Sequence, residues 1–208
     1  MAIATYSALI QAVNDWVNDG AVEQTVPTLI SLAEAKFNRE LRVRDMITRS
    51  SGQSNDEFVA VPTDFLQDVS LELDMTNLAA QQSLAYIGPQ EAKVLKANKI
   101  TGLVRYYTII DGAFELLPAP TSDVNVILTY YAKIPVLSTS NTTNWLLLKS
   151  PDLYLYSALL EAAPFFKDDA RIPVWTAMRQ KVMDDMALES ERAQRQTIQL
   201  TARRRGFF

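Results

Sequence analysis

The chain has no cysteine and no histidine among its 208 residues, and it has only six glycines. The absence of cysteine excludes disulfide frameworks, thiolate zinc sites and cysteine nucleophiles. The absence of histidine removes the most frequent general base and the most frequent imidazole metal ligand. Neither a phosphate-binding glycine loop nor a serine nucleophile elbow is present. Composition therefore favours a binding or structural protein and predicts no catalytic residues, no metal and no cofactor.

Long apolar runs are also missing. No segment reaches the roughly 18 apolar residues that a membrane span needs, and the first residues lack the basic region of a secretory signal. Adjacent aspartates occur at Asp168-Asp169 and Asp184-Asp185. We interpret the first as a helix cap and the second as part of a solvated face, because neither has a histidine or cysteine beside it. We expect a protein made in the cytoplasm with no membrane contact and no acid–base or metal site.

Charge is distributed unevenly along the chain. The 24 acidic residues exceed the 20 basic ones, for a net charge of −4. Five arginines and no acidic residue lie from position 192 onward, which leaves 15 basic and 24 acidic residues, or −9, upstream. An acidic body with a basic end is typical of an arm that docks on another molecule, and a frayed terminus is the alternative interpretation. The acidic body argues against nucleic-acid binding outside this arm.

Helical patterns occupy the two ends of the chain. Apolar residues recur every three or four positions after Thr5 and after Thr25, with Gly20 as the stop between them. Glu34 falls on the expected wet side of the second helix. Ser150 precedes a proline at the first position of a third helix, which is apolar almost all round and is therefore expected to be central. A fourth helix is predicted over residues 170–193, with an apolar stripe of Val174, Trp175, Met178, Val182 and Met186.

The middle of the chain reads as β structure. Residues 69–75 alternate apolar and polar positions, as expected for a half-buried strand, and Asp111-Gly112 predicts a tight hairpin turn. One small helix is expected over residues 89–98. Each tyrosine pair, 106–107 and 130–131, is expected to place one ring in the core and one on the sheet surface, since few basic residues accompany them as base stacking would require.

These patterns predict an α+β fold. The two terminal helix pairs are expected to pack as a four-helix bundle, with a β-rich domain inserted between helices two and three and an extended tail at the C-terminus. The predicted domains are residues 1–45 with 150–195 for the bundle, 46–149 for the inserted domain, and 196–208 for an extended arm.

Four sequence segments carry a resemblance to a known family. Residues 143–147 read TNWLL, and residues 150–171 read SPDLYLYSALLEAAPFFKDDAR. Residues 61–66 read VPTDFL, and residues 114–120 read FELLPAP. In this order and spacing, the segments resemble the head-to-tail adaptor proteins of short-tailed and related bacteriophages, also called connector or tail tubular protein A-like proteins. Each segment also has a structural reading, with Trp145 as an apolar anchor before the third helix.

The resemblance implies a structural virion protein that is not an enzyme. Such adaptors form a ring, expected to be a dodecamer, below the portal protein, and they join it to a tail nozzle or tail tube protein. The ring encloses a channel through which DNA passes during ejection without being bound specifically. The expected location is the head–tail interface of the virion, after assembly in the host cytoplasm. The alternatives are a head-completion or tail-terminator protein of a long-tailed phage and, less favoured, a carboxylate-dependent enzyme.

The C-terminal arm contains the candidate portal-binding residues. Guanidinium groups can form paired hydrogen bonds with carboxylates, and terminal phenylalanine rings can fill apolar pockets. The candidate residues are Arg203, Arg204, Arg205, Phe207 and Phe208. We expect them to bind between adjacent portal subunits.

Overall fold

The computed structural model describes residues 3–17, 23–74, 81–165 and 170–195. Six α-helices are present in these ranges: α1 (Tyr6–Val17), α2 (Val26–Glu40), α3 (Pro89–Ala97), α4 (Trp145–Lys149), α5 (Pro151–Ala162) and α6 (Ile172–Arg195). Eight strands accompany them: β1 (Ile47–Ser54), β2 (Phe58–Ala60), β3 (Phe65–Asp74), β4 (Gln81–Ser83), β5 (Ala85–Tyr86), β6 (Tyr106–Ile110), β7 (Ala113–Leu117) and β8 (Val124–Ala132). Short 3₁₀ turns occur at Arg44–Met46 and Ala163–Phe165.

The chain forms two compact units. The helical unit comprises Met1–Asp45 together with Ile134–Phe208, and the β unit comprises Met46–Lys133. The helical unit contains α1, α2, α4, α5 and α6, whereas the β unit contains all eight strands and α3. None of the described helices is both long enough and apolar enough to cross a bilayer.

Helix α5 is the centre of the helical unit. Its buried residues lie on all sides of the helix, as its nearly continuous apolar sequence predicts. Helices α1, α2, α4 and α6 all pack against it. Phe37 of α2 meets Tyr154 of α5 edge to face, with ring centroids 5.1 Å apart. The prediction of a central third helix is confirmed.

The prediction of a four-helix bundle with an inserted domain is wrong. Six helices and two sheets occur among the described residues, and five of the helices belong to the helical unit. The helical unit contains one short helix more than predicted, α4, which packs on α5. Most of the contacts between helices involve α5. The physical reason is the sequence of α5, because a helix without a polar face is best buried by neighbours on every side.

Helix starts follow their predicted caps. Thr25 and Ser150 are the N-caps of α2 and α5, and each is followed by a proline in the first turn. The Thr5 hydroxyl accepts a hydrogen bond from the Ala8 amide at 3.3 Å. The predicted stop at Gly20 and the predicted helix cap at Asp168-Asp169 lie outside the described residues.

The β unit has two four-stranded sheets. The first has the strand order β1-β8-β3-β4 and is antiparallel; the second has the order β2-β7-β6-β5, with β5 and β6 parallel. Residues from both sheets share one core, which contains Leu71, Leu128, Tyr107 and Phe114. The two sheets therefore pack face to face as a sandwich, and α3 packs on β6 and β7 of the second sheet.

Two local features of the strands follow from backbone conformation. Asp111 and Gly112 both have positive φ, at 51° and 71°, and they close a two-residue hairpin between β6 and β7 as predicted. Val69, in contrast, is exposed although Leu71 and Leu73 on the same strand are buried. The register of β3 shifts between Asp68 and Ser70, and this bulge turns Val69 out of the alternation.

Candidate functional site

The described part of the chain contains no cluster of acidic side chains that could hold a metal ion. Asp184 and Asp185 are exposed on α6, and the Asp184 carboxylate accepts a hydrogen bond from the Gln180 amide at 2.8 Å. That contact between positions four apart belongs to a solvated helix face. The other acidic pair, Asp168-Asp169, lies outside the described residues.

The predicted portal-binding residues also lie outside the described residues. Arg203, Arg204, Arg205, Phe207 and Phe208 all fall within positions 196–208. The structure therefore does not test whether these residues bind the portal, and their role stays a prediction.

Each tyrosine pair of the β unit places one ring in the core, as predicted. Tyr107 and Tyr130 are buried, whereas Tyr106 and Tyr131 are half-buried. The Tyr107 hydroxyl donates to the Asp68 carboxylate at 2.5 Å, and burial and this carboxylate raise the pKa of Tyr107. The buried rings of Tyr107 and Tyr130 are therefore part of the core of the sandwich.

The segment 61–66 is tied down by its aspartate. The Asp64 carboxylate accepts a hydrogen bond from the Tyr130 hydroxyl at 2.9 Å, and the Asp64 carbonyl accepts one from the Lys133 amide at 2.6 Å. The Phe65 ring packs against Phe114 at 5.5 Å between centroids. The motif thus fixes the link between β2 and β3 to the end of β8.

The asparagine of segment 143–147 fixes this segment by side-chain hydrogen bonds. Asn144 is the N-cap of α4: its side-chain oxygen accepts from the Leu147 amide at 2.8 Å, and its side-chain nitrogen donates to the Pro135 carbonyl and to the Tyr154 hydroxyl, each at 2.7 Å. Trp145, expected to be the anchor, is only half-buried, whereas Leu146 and Leu147 are fully buried.

Glu34 is a buried carboxylate at the centre of the helical unit. It is 3% exposed, and its Oε1 accepts hydrogen bonds from the Leu137 amide at 2.9 Å and the Tyr154 hydroxyl at 3.1 Å. Burial raises the pKa of Glu34, and the two hydrogen bonds oppose that rise only in part. The network joins α2, α5 and the segment after residue 134.

The expectation that Glu34 is solvated was wrong. A signal for its burial exists in the sequence, since Ile30, Ala33, Glu34 and Phe37 have the i, i+3, i+4, i+7 spacing of one helix face. A carboxylate at such a position is buried when other segments supply donors. Leu137 and Tyr154 supply them here, more than 100 residues along the chain.

A second buried carboxylate, Glu115, lies in the β unit and was not anticipated from the sequence. The Lys96 ammonium of α3 contacts it and also lies 2.6 Å from the Glu57 carboxylate. Hydrogen bonds to Glu115 and Glu57 raise the pKa of Lys96. The same ammonium lies 5.5 Å from the centre of the Phe58 ring. The cluster attaches α3 to the second sheet.

The long helix α6 presents an exposed apolar stripe. Trp175 and Met186 are buried and Val182 is half-buried, but Val174 and Met178 are exposed, contrary to the predicted stripe. The reason is that Arg179 faces the rest of the helical unit, where it donates hydrogen bonds to the Ser157 hydroxyl and the Glu40 carboxylate. The exposed residues on the neighbouring face are Val174, Met178, Lys181, Asp185 and Leu188, and we call them the α6 stripe.

Spacing makes the α6 stripe a candidate contact surface. Its positions recur alternately every four and three residues, the seam spacing of paired helices. Three of the five side chains are apolar and exposed by 44 to 55%. Lys181 and Asp185, four residues apart, add one charge of each sign. A partner surface could bury the apolar side chains and pair the charges.

The comparison with protein families identifies the chain. It matches the family described as SU10 adaptor protein over residues 4–205, and it therefore belongs to that family. The resemblance to phage head-to-tail adaptors is confirmed. The family is a phage structural adaptor class and not an enzyme class, and it implies a component of the virion. No curated protein matches the chain.

Proposed function

We propose that this SU10 adaptor family member forms a ring below the portal protein and joins it to a tail nozzle or tail tube protein, with a central channel for DNA ejection. The observation that carries the proposal is the family match over residues 4–205. The ring is proposed to be a dodecamer at the head–tail interface of the virion, assembled in the host cytoplasm. A body with nine more acidic than basic residues suits DNA passage without specific binding.

The α6 stripe is the proposed contact between neighbouring copies. A closed ring needs a head-to-tail interface, in which one surface of each copy meets a different surface of the next. An exposed apolar stripe with paired charges is suited to one side of such an interface. Charged residues make up 21% of the sequence, which is an ordinary proportion, and no long apolar segment is present to drive assembly of the chain alone. We therefore expect the isolated chain to be largely monomeric and the ring to form on the portal.

The arm of residues 197–208 is the proposed portal contact. Arg203, Arg204 and Arg205 would pair with portal carboxylates, while Phe207 and Phe208 would enter apolar pockets between portal subunits. Deletion of residues 197–208 should leave folding intact and abolish portal attachment. Replacing both phenylalanines by alanine should weaken attachment even at high salt, where a contact through arginine alone would be screened. Full portal binding by the truncated chain would refute the arm's role.

Native mass spectrometry and negative-stain imaging, with and without portal, test the ring. We expect twelve copies on the portal and mainly monomers without it. Leu188→Asp should prevent ring formation, because it replaces an exposed apolar side chain of the α6 stripe with a charge that the interface would bury. Ala187→Asp is the matched control, since position 187 is exposed but lies about 100° around the helix from Leu188, outside the α6 stripe. A stable monomer in the presence of portal, or equal assembly by both variants, would contradict the proposal.

A further inference from the structure

Strand β1 lies at one edge of the first sheet. It is eight residues long, and among the strands that the structure describes it pairs only with β8. Within the described ranges, no backbone group of β1 bonds to a turn or loop on its other side. Edge strands of this length are usually protected by proline, by several charges or by a covering segment. β1 has no proline and one charged residue, Arg49, so its free edge is available to pair with another strand.

The side of β1 that faces the sandwich core carries only small side chains. Ser50 and Gly52 lie opposite Leu128 and Val126 of β8, which are buried in the core. A Cβ atom added to Gly52 would have no neighbouring atom within 4 Å, and the backbone of Gly52 needs no positive φ. Space is therefore left on the core side of the edge strand.

That space is a crevice between the edges of β1 and β2. Its volume is about 100 Å³. The residues that line it from the two edge strands and the turn after β2 are Ser50, Ser51, Gly52, Val59, Ala60 and Pro62. Its walls are formed by core side chains, among them Leu71, Phe114 and Leu128. An apolar cavity of roughly 150 Å³ accepts a benzene ring, so this crevice suits one aliphatic side chain.

We propose that β1 pairs with an extended segment of another tail protein, and that this segment places an aliphatic side chain in the crevice. Backbone hydrogen bonds along the free edge supply affinity in this mode of recognition, and the pocket beside the edge supplies specificity. The inference rests on the proposed adaptor role and names the surface through which the β unit holds its tail partner.

The occupant is a different protein and not a second copy paired through its own sheet edges. The apolar residue in β1 is Ile47, which alternates with the core-facing Thr48 and so faces away from the crevice. Two paired β1 edges would therefore leave both crevices empty. The opposite edge of the first sheet, β4, has three residues and cannot match the eight of β1.

Two variants of adjacent residues separate pocket filling from a change of surface. Gly52→Leu should fill the crevice, keep or raise Tm, and weaken binding to purified tails of the same phage at least tenfold. Gln53→Leu adds the same side chain to the opposite face of β1 and should bind tails as the wild type does. Unchanged binding by Gly52→Leu, or equal loss in both variants, would overturn the inference.

Hydrogen exchange of β1 amides supplies the second readout. Amides on the free edge should exchange rapidly in the isolated chain and in the chain bound to portal, and become protected when tails are added. Protection on portal alone would identify a second copy as the occupant. Protection in the isolated chain that is lost on deletion of residues 197–208 would identify the chain's own arm. Either result overturns the inference. Tail binding without β1 protection overturns it while leaving the adaptor role intact, whereas no tail binding by the wild type overturns both.

Discussion

In the helical unit, the buried carboxylate of Glu34 is satisfied by two neutral donors, an amide and a tyrosine hydroxyl. In the β unit, the buried carboxylate of Glu115 is satisfied by the ammonium of Lys96, which also serves Glu57. Thr108 lies opposite Glu115 in the neighbouring strand, and its buried hydroxyl has no hydrogen-bond partner among the described residues. The helical unit thus distributes one charge over a hydrogen-bond network, whereas the β unit neutralises one charge with another.

The difference shows how each unit holds its connecting segments by polar contacts. Glu34 and Asn144 bind the backbone of the segment that enters α4, so three separate parts of the chain meet at one point. Lys96 instead joins one short helix to Glu115 of β7 and to Glu57, just before β2, through a side chain that is 42% exposed. Loss of a node in the first network should therefore cost more than loss of the cation in the second.

The largest effect is expected at Tyr154. Its ring is fully buried against Phe37, and its hydroxyl joins Glu34 to Asn144. Tyr154→Ala should destabilise the helical unit by about 3–5 kcal/mol, because it removes the ring and leaves a cavity. Tyr154→Phe keeps the ring and should cost about 1–2 kcal/mol for the lost hydrogen bonds. Hydrogen exchange of α5 amides measures both, and equal effects would contradict a separate role for the hydroxyl.

Lys96 is expected to have an intermediate effect. Lys96→Met leaves Glu115 buried without its cation and should destabilise the β unit by about 2 kcal/mol, less than a fully buried pair because the ammonium reaches solvent. Lys93→Met, on the same helix and exposed, should change stability by no more than about 0.5 kcal/mol. Exchange of β7 amides gives the comparison, and a Lys96→Met variant as stable as Lys93→Met would show that Glu115 does not need the cation.

Glu34 should make the helical unit dependent on pH. Its pKa in the folded chain is raised above the ordinary value of 4.5. The stability that it contributes is therefore fully present below pH 4.5 and is lost as pH rises through the folded pKa. Glu34→Gln cannot ionise, so its stability relative to the wild type should increase as the pH rises above 4.5. Urea unfolding of both proteins across this range measures the trend; parallel pH profiles would exclude a raised pKa.

Thr108 is expected to show the smallest effect, with the opposite sign. Thr108→Val replaces a buried hydroxyl without a partner by a methyl group of similar size, and should stabilise the β unit by about 1 kcal/mol. Thr129→Val, on the outer face of β8, should change stability by less than about 0.5 kcal/mol. Thermal unfolding followed by exchange of β6 amides distinguishes them. Destabilisation by Thr108→Val would show that the hydroxyl has a partner in solution.

Local signals in the sequence determined the identity of most elements. Thr25 and Ser150 begin helices because each is followed by a proline, which the first turn of a helix tolerates. Asp111-Gly112 forms a hairpin because both residues adopt positive φ. The nearly continuous apolar surface of α5 favours neighbours on every side. The segments that resemble phage adaptors also identified the family, since their order and spacing are properties of the sequence alone.

Tertiary structure alone decided which face of an element is covered and by what. Periodicity placed Val174 and Met178 in the stripe of α6, but the contacts of Arg179 turn a neighbouring face inward. The bulge after Asp68 exposes Val69 despite its correct alternation.

The candidate sites depend on the same distant contacts. Glu34 and Glu115 are buried because donors arrive from Leu137 and Lys96, and β1 keeps an open edge because β2 joins the other sheet. A sequence pattern records the period of a segment, which is local. The burial of a charge or an edge depends on partners far along the chain, and those partners are brought together only when the chain folds.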